Sequence, residues 1–466
     1  MKTTKYRSIY NDLLYKIKNR IIKENESLSS TRELAQIYQS HRFTVMRVCQ
    51  DLQAEGWLTC TEKTRYQVSQ KIPILESHSL KAKASKAKLT QKLTKLTQPI
   101  VNIDLERTRY KIEFWGGQPD LRLFPKDEYR RVLSSALKRA KPDDLNYGHV
   151  DGLPHCIKEV SAYLRRSRGL QNKEFIMTNG SQEAIYLALQ TFTKSGDAIL
   201  VERKGYPPAW HLFKSLGLKI IPVEIDSEGL VTDDLLEKIK KHSPKMIYTT
   251  PLHQYPTTVT LSPRRRQLLI QIAEKFTLPI IEDDYDHEYH FTKLPPTPLA
   301  AETPMAIYIC SFSKVLFPGA RLGVIGFEPR LKPNISQQKY LISRQTDCLT
   351  QIGLTAWIKD GGFEQHLRRT RRIYQLRRDF MIDQLNALKA DHKINWNSPH
   401  GGMSIWVNFS KNSKLIADRC KAKGIFFQHE SSMDFMNSVG HHLRIGFAGV
   451  NEDEIKTGFS ILKSNI

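Results

Sequence analysis

Apolar residues fall at helical spacing in the first sixth of the chain and in short aliphatic runs later, so two architectures are predicted. Ile9, Leu13, Leu14, Ile17 and Ile21 mark one face of a helix over residues 9–22. Ser30 and Glu33 carry the capping-box pattern and open a short helix that ends near Tyr38. A second start signal at Ser40–Val45 predicts a helix to about Ala54, stopped by Gly56. Trp57–Thr59 and Arg65–Val68 then read as a small hairpin. Two short helices and a tight turn have helix-turn-helix spacing, and the hairpin stands where a wing would. A plain three-helix bundle is the alternative. Against it, Arg32 lies at the start of one helix and Arg42, Thr44 and Arg47 on the next, where they would meet phosphates and base edges.

Lys71 to Leu105 is rich in Lys, Ser, Thr and Ala, has no aromatic residue, and reads as a flexible basic linker. Beyond it the period changes. Phe175–Thr178, Ala198–Val201, Ile220–Val223, Met246–Thr250, Pro279–Glu282 and Ile307–Cys310 are strand-like, with amphipathic helices between them. That alternation predicts a mostly parallel, doubly wound sheet. A long basic helical stretch from about Gly362 to Lys389 precedes a smaller α+β part that begins near Ile394. Three segments result: 1–70, a linker at 71–108, and 109–466.

Charge adds a partner class. The 466 residues carry a formal charge of +23, and residues 1–100 hold 19 Lys and Arg against 8 Asp and Glu. Such an excess suggests a polyanion. The six cysteines are scattered without a Cys-x-x-Cys, which suits a reducing compartment and argues against a disulfide framework or a zinc site. No apolar run has the length of a membrane span, and the basic N-terminus has no apolar signal core, so a cytoplasmic protein is expected.

The candidate chemistry centres on Ser311-Phe312-Ser313-Lys314, with Arg321 seven residues past the lysine. A partly desolvated lysine amine condenses with carbonyls, and hydroxyls beside a guanidinium suit a phosphate. Pyridoxal 5′-phosphate (PLP) satisfies both. Asp283 falls at the carboxyl end of a buried strand, where ligands bind in open α/β sheets and where an anion could hold a pyridine nitrogen protonated. Gly180-Ser181-Gln182 lies between a strand and a helix, a place for a phosphate. The run Asp286-His287-Glu288-Tyr289-His290 has metal-ligand residue types, but no metal site is expected there, and its histidines are expected on a strand edge.

Phosphate cup, carboxylate, lysine and arginine in this order resemble fold-type I PLP enzymes, the aspartate aminotransferase-like group. Further matching stretches are Phe114-Trp115-Gly116-Gly117, Asn146-Tyr147-Gly148, His253-Gln254-Tyr255-Pro256-Thr257 and Leu443-Arg444-Ile445-Gly446. The first seventy residues are similar to a GntR-type winged helix, and the whole chain resembles the MocR/GabR-type transcriptional regulators. That resemblance implies a winged helix-turn-helix joined to an α/β aminotransferase-like domain with a small C-terminal α+β part. It implies Lys314 as the internal-aldimine lysine, Asp283 at the pyridinium nitrogen and Tyr285 at the ring oxygen. Gly180, Ser181, Gln182, Ser311, Ser313 and Arg321 would hold the phosphate, and Tyr206 would stack on the ring. Tyr147 would reach the partner's cofactor in a head-to-tail homodimer, and Arg444 would clamp an effector carboxylate. Double-stranded DNA and an amino acid or PLP itself are the implied partners. The chain departs from the pattern with Lys204 in place of a proline, Thr258 in place of a glycine, His41 in place of a serine, and a glycine-free turn at Thr61-Glu62-Lys63-Thr64. Two other readings stand beside the regulator: a true aminotransferase with an accessory DNA-binding domain, and a DNA-binding protein whose PLP domain only dimerises.

Overall fold

The computed structural model describes residues 5–61, 65–73, 110–292 and 294–466. The expected linker lies almost wholly outside them, as does most of the glycine-free turn. The chain divides into two compact units, residues 1–95 and 96–466.

In the first unit, helices Lys5–Lys18, Thr31–Ile37 and Arg42–Ala54 precede two antiparallel strands, Leu58–Thr61 and Arg65–Val68, with Leu58 opposite Val68. Ile9, Leu13 and Ile17 recur every four residues and pack with Leu34, Val45, Val48, Leu52 and Trp57. The first helix stops at Lys18, so Ile21 is exposed and not part of the helical face. Ser30 and Glu33 make both bonds of the capping box. His41 replaces a serine cap without loss of the bond, because its ring accepts the Phe43 N–H at 3.3 Å. Gly56 ends the third helix at φ +82°.

The second unit is built on a seven-stranded sheet. Its strands run in the order Glu174–Thr178, Gly323–Phe327, Ala306–Ser311, Ile280–Asp283, Met246–Thr249, Ala198–Glu202 and Lys219–Val223. The predicted strands are present and the pairing is mostly parallel, except at Gly323–Phe327, which pairs antiparallel on both sides. The periodicity did not mark that strand. Two of its five residues are glycine, and a Cβ at Gly323 would lie 2.9 Å from the Gly180 backbone. Helices cover both faces.

A second sheet in this unit has the order Asn395–Trp396, Ser404–Asn408, His442–Gly446, Ile425–His429 and Ile112–Phe114. Its last strand comes from the start of the unit, about three hundred residues from its neighbour, and stacks Phe114 on Phe427 at 4.8 Å. The basic helical stretch Gly362–Lys389 is a single continuous helix. Among the described residues, no helix is long and apolar enough to cross a membrane.

Candidate functional site

The carboxyl ends of the parallel strands meet at a cleft of about 480 Å³. Three acids end the Ile280–Asp283 strand, and the fold gives each a different partner. Glu282 turns back to the Leu299 and Ala300 N–H groups, both at 2.8 Å. Asp284 pairs with Arg168 at 2.8 Å in the interior. Asp283 faces the cleft. Its Oδ2 accepts from Tyr248 Oη at 2.8 Å, while its buried Oδ1 has no partner among the described residues. Burial raises its pKa to about 7; Asp284 adds to the rise, and the Tyr248 bond and Lys314 oppose it.

Ala306–Ser311 runs into a tight turn over Phe312–Lys314, which sets Lys314 in the same cleft. Burial lowers the pKa of its amine, Asp286 opposes the change and Arg444 reinforces it. At the far side Ser311 Oγ donates to Ser313 Oγ at 2.8 Å. Arg321, at φ +46°, closes over the start of helix Ser181–Phe192 and donates to the Asn179 carbonyl at 3.2 Å. Gly180 makes room for it, since a Cβ there would stand 2.7 Å from Arg321 Nη2.

Tyr206 and Tyr255 meet edge to face at 5.3 Å on the cleft wall. Tyr285 Oη donates to the His253 carbonyl at 2.9 Å. Arg444 is fully buried on strand His442–Gly446. Its Nε donates to Ser404 Oγ at 2.9 Å and its guanidinium lies 4.0 Å over the Tyr255 ring. Among the described residues its Nη1 has no hydrogen-bond partner, and its Nη2 reaches Tyr285 Oη at 3.4 Å. A Cβ at Gly117 would stand 3.7 Å from Lys314 Nζ and 3.9 Å from Arg444 Nη2, which places amine and guanidinium around one small space.

The cleft therefore gathers Ser181, Gln182, Tyr206, Asp283, Tyr285, Ser311, Ser313, Lys314 and Arg321 on its walls, with Gly180 and Arg444 directly behind. Tyr147 is not among them; it is exposed, and the Arg344 guanidinium lies 5.2 Å over its ring. In the first unit Arg32, Arg42 and Arg47 are exposed and Thr44 is half-buried. Arg42 Nε donates to Thr31 Oγ1 at 3.2 Å, and Arg47 lies 5.9 Å over Tyr6.

The histidine run lies in a buried turn, not along a strand edge; His290 alone forms an isolated bridge, to Gly401. Asp286 holds His253 at 2.7 Å, and His253 faces His290 at 3.3 Å. Among the described residues no group of three or more His, Cys, Asp or Glu is placed to hold a metal. Sequence reasoning missed Tyr248, Gln428 and Met433 on the walls. Trp115 stood in a matching stretch without a role and also lines the cleft.

An orphan carboxylate oxygen, a desolvated amine, and a guanidinium beside hydroxyls and a helix N-terminus suit a protonated ring nitrogen, an aldehyde and a phosphate on one molecule. Residues 123–462 match the family described as aminotransferase class I and II. The chain is 27% identical over 470 residues to the probable rhizopine catabolism regulatory protein MocR of Rhizobium meliloti, covering 98% of this chain and 93% of that protein. It is 27% identical over 375 residues to aromatic-amino-acid aminotransferase 1 of Thermococcus litoralis, covering 78% and 90%. The crystal structure of Pyrococcus horikoshii kynurenine aminotransferase with PMP superposes at TM-score 0.71 and 28% identity, over 83% of this chain and 96% of that one.

Proposed function

The chain belongs to the class I and II aminotransferases and its cofactor is pyridoxal 5′-phosphate; from that premise we propose that it is a cytoplasmic, DNA-binding transcription regulator whose second unit senses PLP or an amino acid. The observation that carries this reading is the first unit: three helices and a hairpin, with Arg32, Arg42 and Arg47 exposed, preceding in the chain the unit that holds the cleft. A metabolic aminotransferase has no need of that unit, and the relative named as a regulator aligns across it. In this reading residues 1–70 are a GntR-like winged helix of the MocR/GabR type, 71–108 a tether, and 109–466 the sensing and dimerising domain.

PLP supplies an electrophilic aldehyde and an electron-withdrawing ring when bound. Lys314 would be its covalent anchor and would give way to the amino group of an incoming amino acid. Asp283 would pair with the ring nitrogen, and Tyr285 would stand at the ring oxygen. Tyr206 lies on the ring face. Gly180, Ser181, Gln182, Ser311, Ser313 and Arg321 hold the phosphate. Arg444 Nη1 and Nη2 hold the α-carboxylate of the effector. Two chains pair head to tail, and Tyr147 crosses to the partner's phosphate.

The second reading, a working aminotransferase, is favoured by the same Lys314 and Arg444 geometry around Gly117. One experiment separates the two. The PLP-loaded protein is tested for binding to the DNA upstream of its own gene, with and without amino acids, and for steady-state keto-acid formation. Effector-dependent binding without sustained turnover is expected. Multiple turnovers with no sequence-specific DNA binding would establish the enzyme instead.

A further inference from the structure

Resting on that reading of the cleft, we infer that its amino-acid ligand carries an uncharged side chain, apolar or aromatic. The charged groups on the described cleft walls are Asp283, Lys314 and Arg321, and the cofactor engages all three. Arg444, behind the wall, is taken by the α-carboxylate. The side chain of the ligand meets what is left: Trp115, Tyr255, Met433 and the Pro207–Pro208 pair, with Gln428 and Ser432 as the neutral polar groups.

These groups are already committed in ways that leave apolar faces. The Trp115 indole N–H is spent on Glu113 at 3.0 Å, and its ring packs on Phe426 at 4.2 Å. Gln428 Oε1 accepts the Gly116 N–H at 2.8 Å and its Nε2 reaches Tyr255 Oη at 3.4 Å. Ser432 Oγ donates to the His429 carbonyl at 2.7 Å. Charges near the rim are paired with one another: Lys204 with Glu430 at 2.6 Å, Glu430 with His442 at 2.7 Å, and Arg203 with Asp434 at 3.3 Å. A ligand ammonium or second carboxylate entering here would lose its water and find no free counter-charge on the described walls that this chain supplies. An apolar side chain meets the opposite situation, since each methylene buried in such a pocket improves discrimination by about tenfold or more.

The test uses the full-length protein reconstituted with PLP. L-phenylalanine, L-leucine, L-glutamate and L-lysine are titrated while the cofactor absorbance is followed. Phenylalanine or leucine should half-saturate at a concentration at least about tenfold lower than glutamate or lysine. A cation placed at the exposed Ser432, by Ser432→Arg, should improve glutamate about tenfold relative to phenylalanine. The inference is overturned if glutamate or lysine matches the apolar pair, if no amino acid perturbs the spectrum, or if Ser432→Arg leaves the ranking unchanged. DNA affinity of the same PLP-loaded sample without amino acid reports on the regulator reading by itself, so the two can fail separately.

Discussion

A buried carboxylate with one bonded and one orphan oxygen costs stability until a cation meets it, and Asp283 is such a group. Its pKa in the folded chain is raised to about 7, from 3.8. An acid raised in the folded state is destabilising when ionised, and the cost accumulates as pH climbs between those two values. Protein stripped of PLP should therefore lose stability between pH 4 and pH 7, by on the order of 2–4 kcal/mol from this group. Asp283→Asn keeps an oxygen for the Tyr248 hydroxyl and has no charge to bury. The stripped variant should exceed the stripped parent in urea stability at pH 8 and lose that advantage at pH 4, while binding PLP more than tenfold weaker. Equal stabilities at both pH values would show that Asp283 is solvated or paired. Residues such as Lys314, Asp283 and Arg321 were legible because their chemistry is unusual at a strand end. Tyr248 was not, because an aromatic in an aliphatic strand reads as core. Its hydroxyl acquires a role only when the fold brings the neighbouring strand's Asp283 to it. Gln428 lies on a strand of the second sheet and Met433 in the turn that follows it, and no local pattern connects them to Lys314.

Elements join the two sheets of the second unit through a strap. The segment Arg203–Gly205, just past strand Ala198–Glu202, pairs with residues 433–435: Gly205 N–H donates to Met433 O at 3.0 Å and Phe435 N–H to Arg203 O at 2.9 Å. Lys204, where the resembling family has proline, locks it with Glu430. Glu430 also accepts from the His441 N–H at 2.8 Å and from His442 Nδ1 at 2.7 Å. His442 and Lys204 hold its pKa down to about 2 against its burial. A depressed acid contributes stability above its unfolded value of 4.5 and loses it as pH falls toward the folded one. Glu430→Gln should cost about 2–4 kcal/mol at pH 7, and the difference from the parent should shrink between pH 5 and pH 3. Denaturant titrations at three pH values check this; a constant difference would mean lost packing alone. The second and third helices of the first unit carry a further expectation: Arg32, Arg42 and Arg47 replaced together by alanine should weaken operator binding at least a hundredfold at matched salt, each base-reading arginine being worth about 1–3 kcal/mol. Unchanged affinity would place the DNA contact elsewhere. The caps and alternation of these elements were legible because they are local. Ile112–Phe114 and Gly323–Phe327 were not, since one is three residues long and pairs at great sequence distance, and the other is glycine-rich so that a neighbouring backbone can approach.

At the scale of the whole molecule, the regulator reading requires that an event at Lys314 alter DNA affinity residing in a different compact unit. A ligand shifts a conformational equilibrium only by its differential affinity for the two states. The chemistry available for that difference is local: an amino acid must displace the Lys314 amine and bring its carboxylate to Arg444. Those two groups flank Gly117, and they sit on different sheets, Lys314 after strand Ala306–Ser311 and Arg444 on strand His442–Gly446. Bridging them couples the small sheet to the large one in a way that neither PLP alone nor an amino acid alone can. Lys314→Ala removes the displaced group and keeps Arg444, so the amino acid can still enter but has no covalent exchange to drive. The variant should lose the visible absorbance of lysine-bound PLP and lose the effector response, with basal operator affinity within about threefold of the parent, because residues 1–70 are untouched and Lys314 belongs to the other unit. DNA titrations of parent and variant, each with and without PLP and phenylalanine, decide it. An intact effector response in the variant would move the switch away from Lys314, to Arg444 and the carboxylate alone. Loss of basal DNA binding would instead make Lys314 a requirement for the folded second unit, and circular dichroism with denaturant titration of the same sample would then show the corresponding fall in stability.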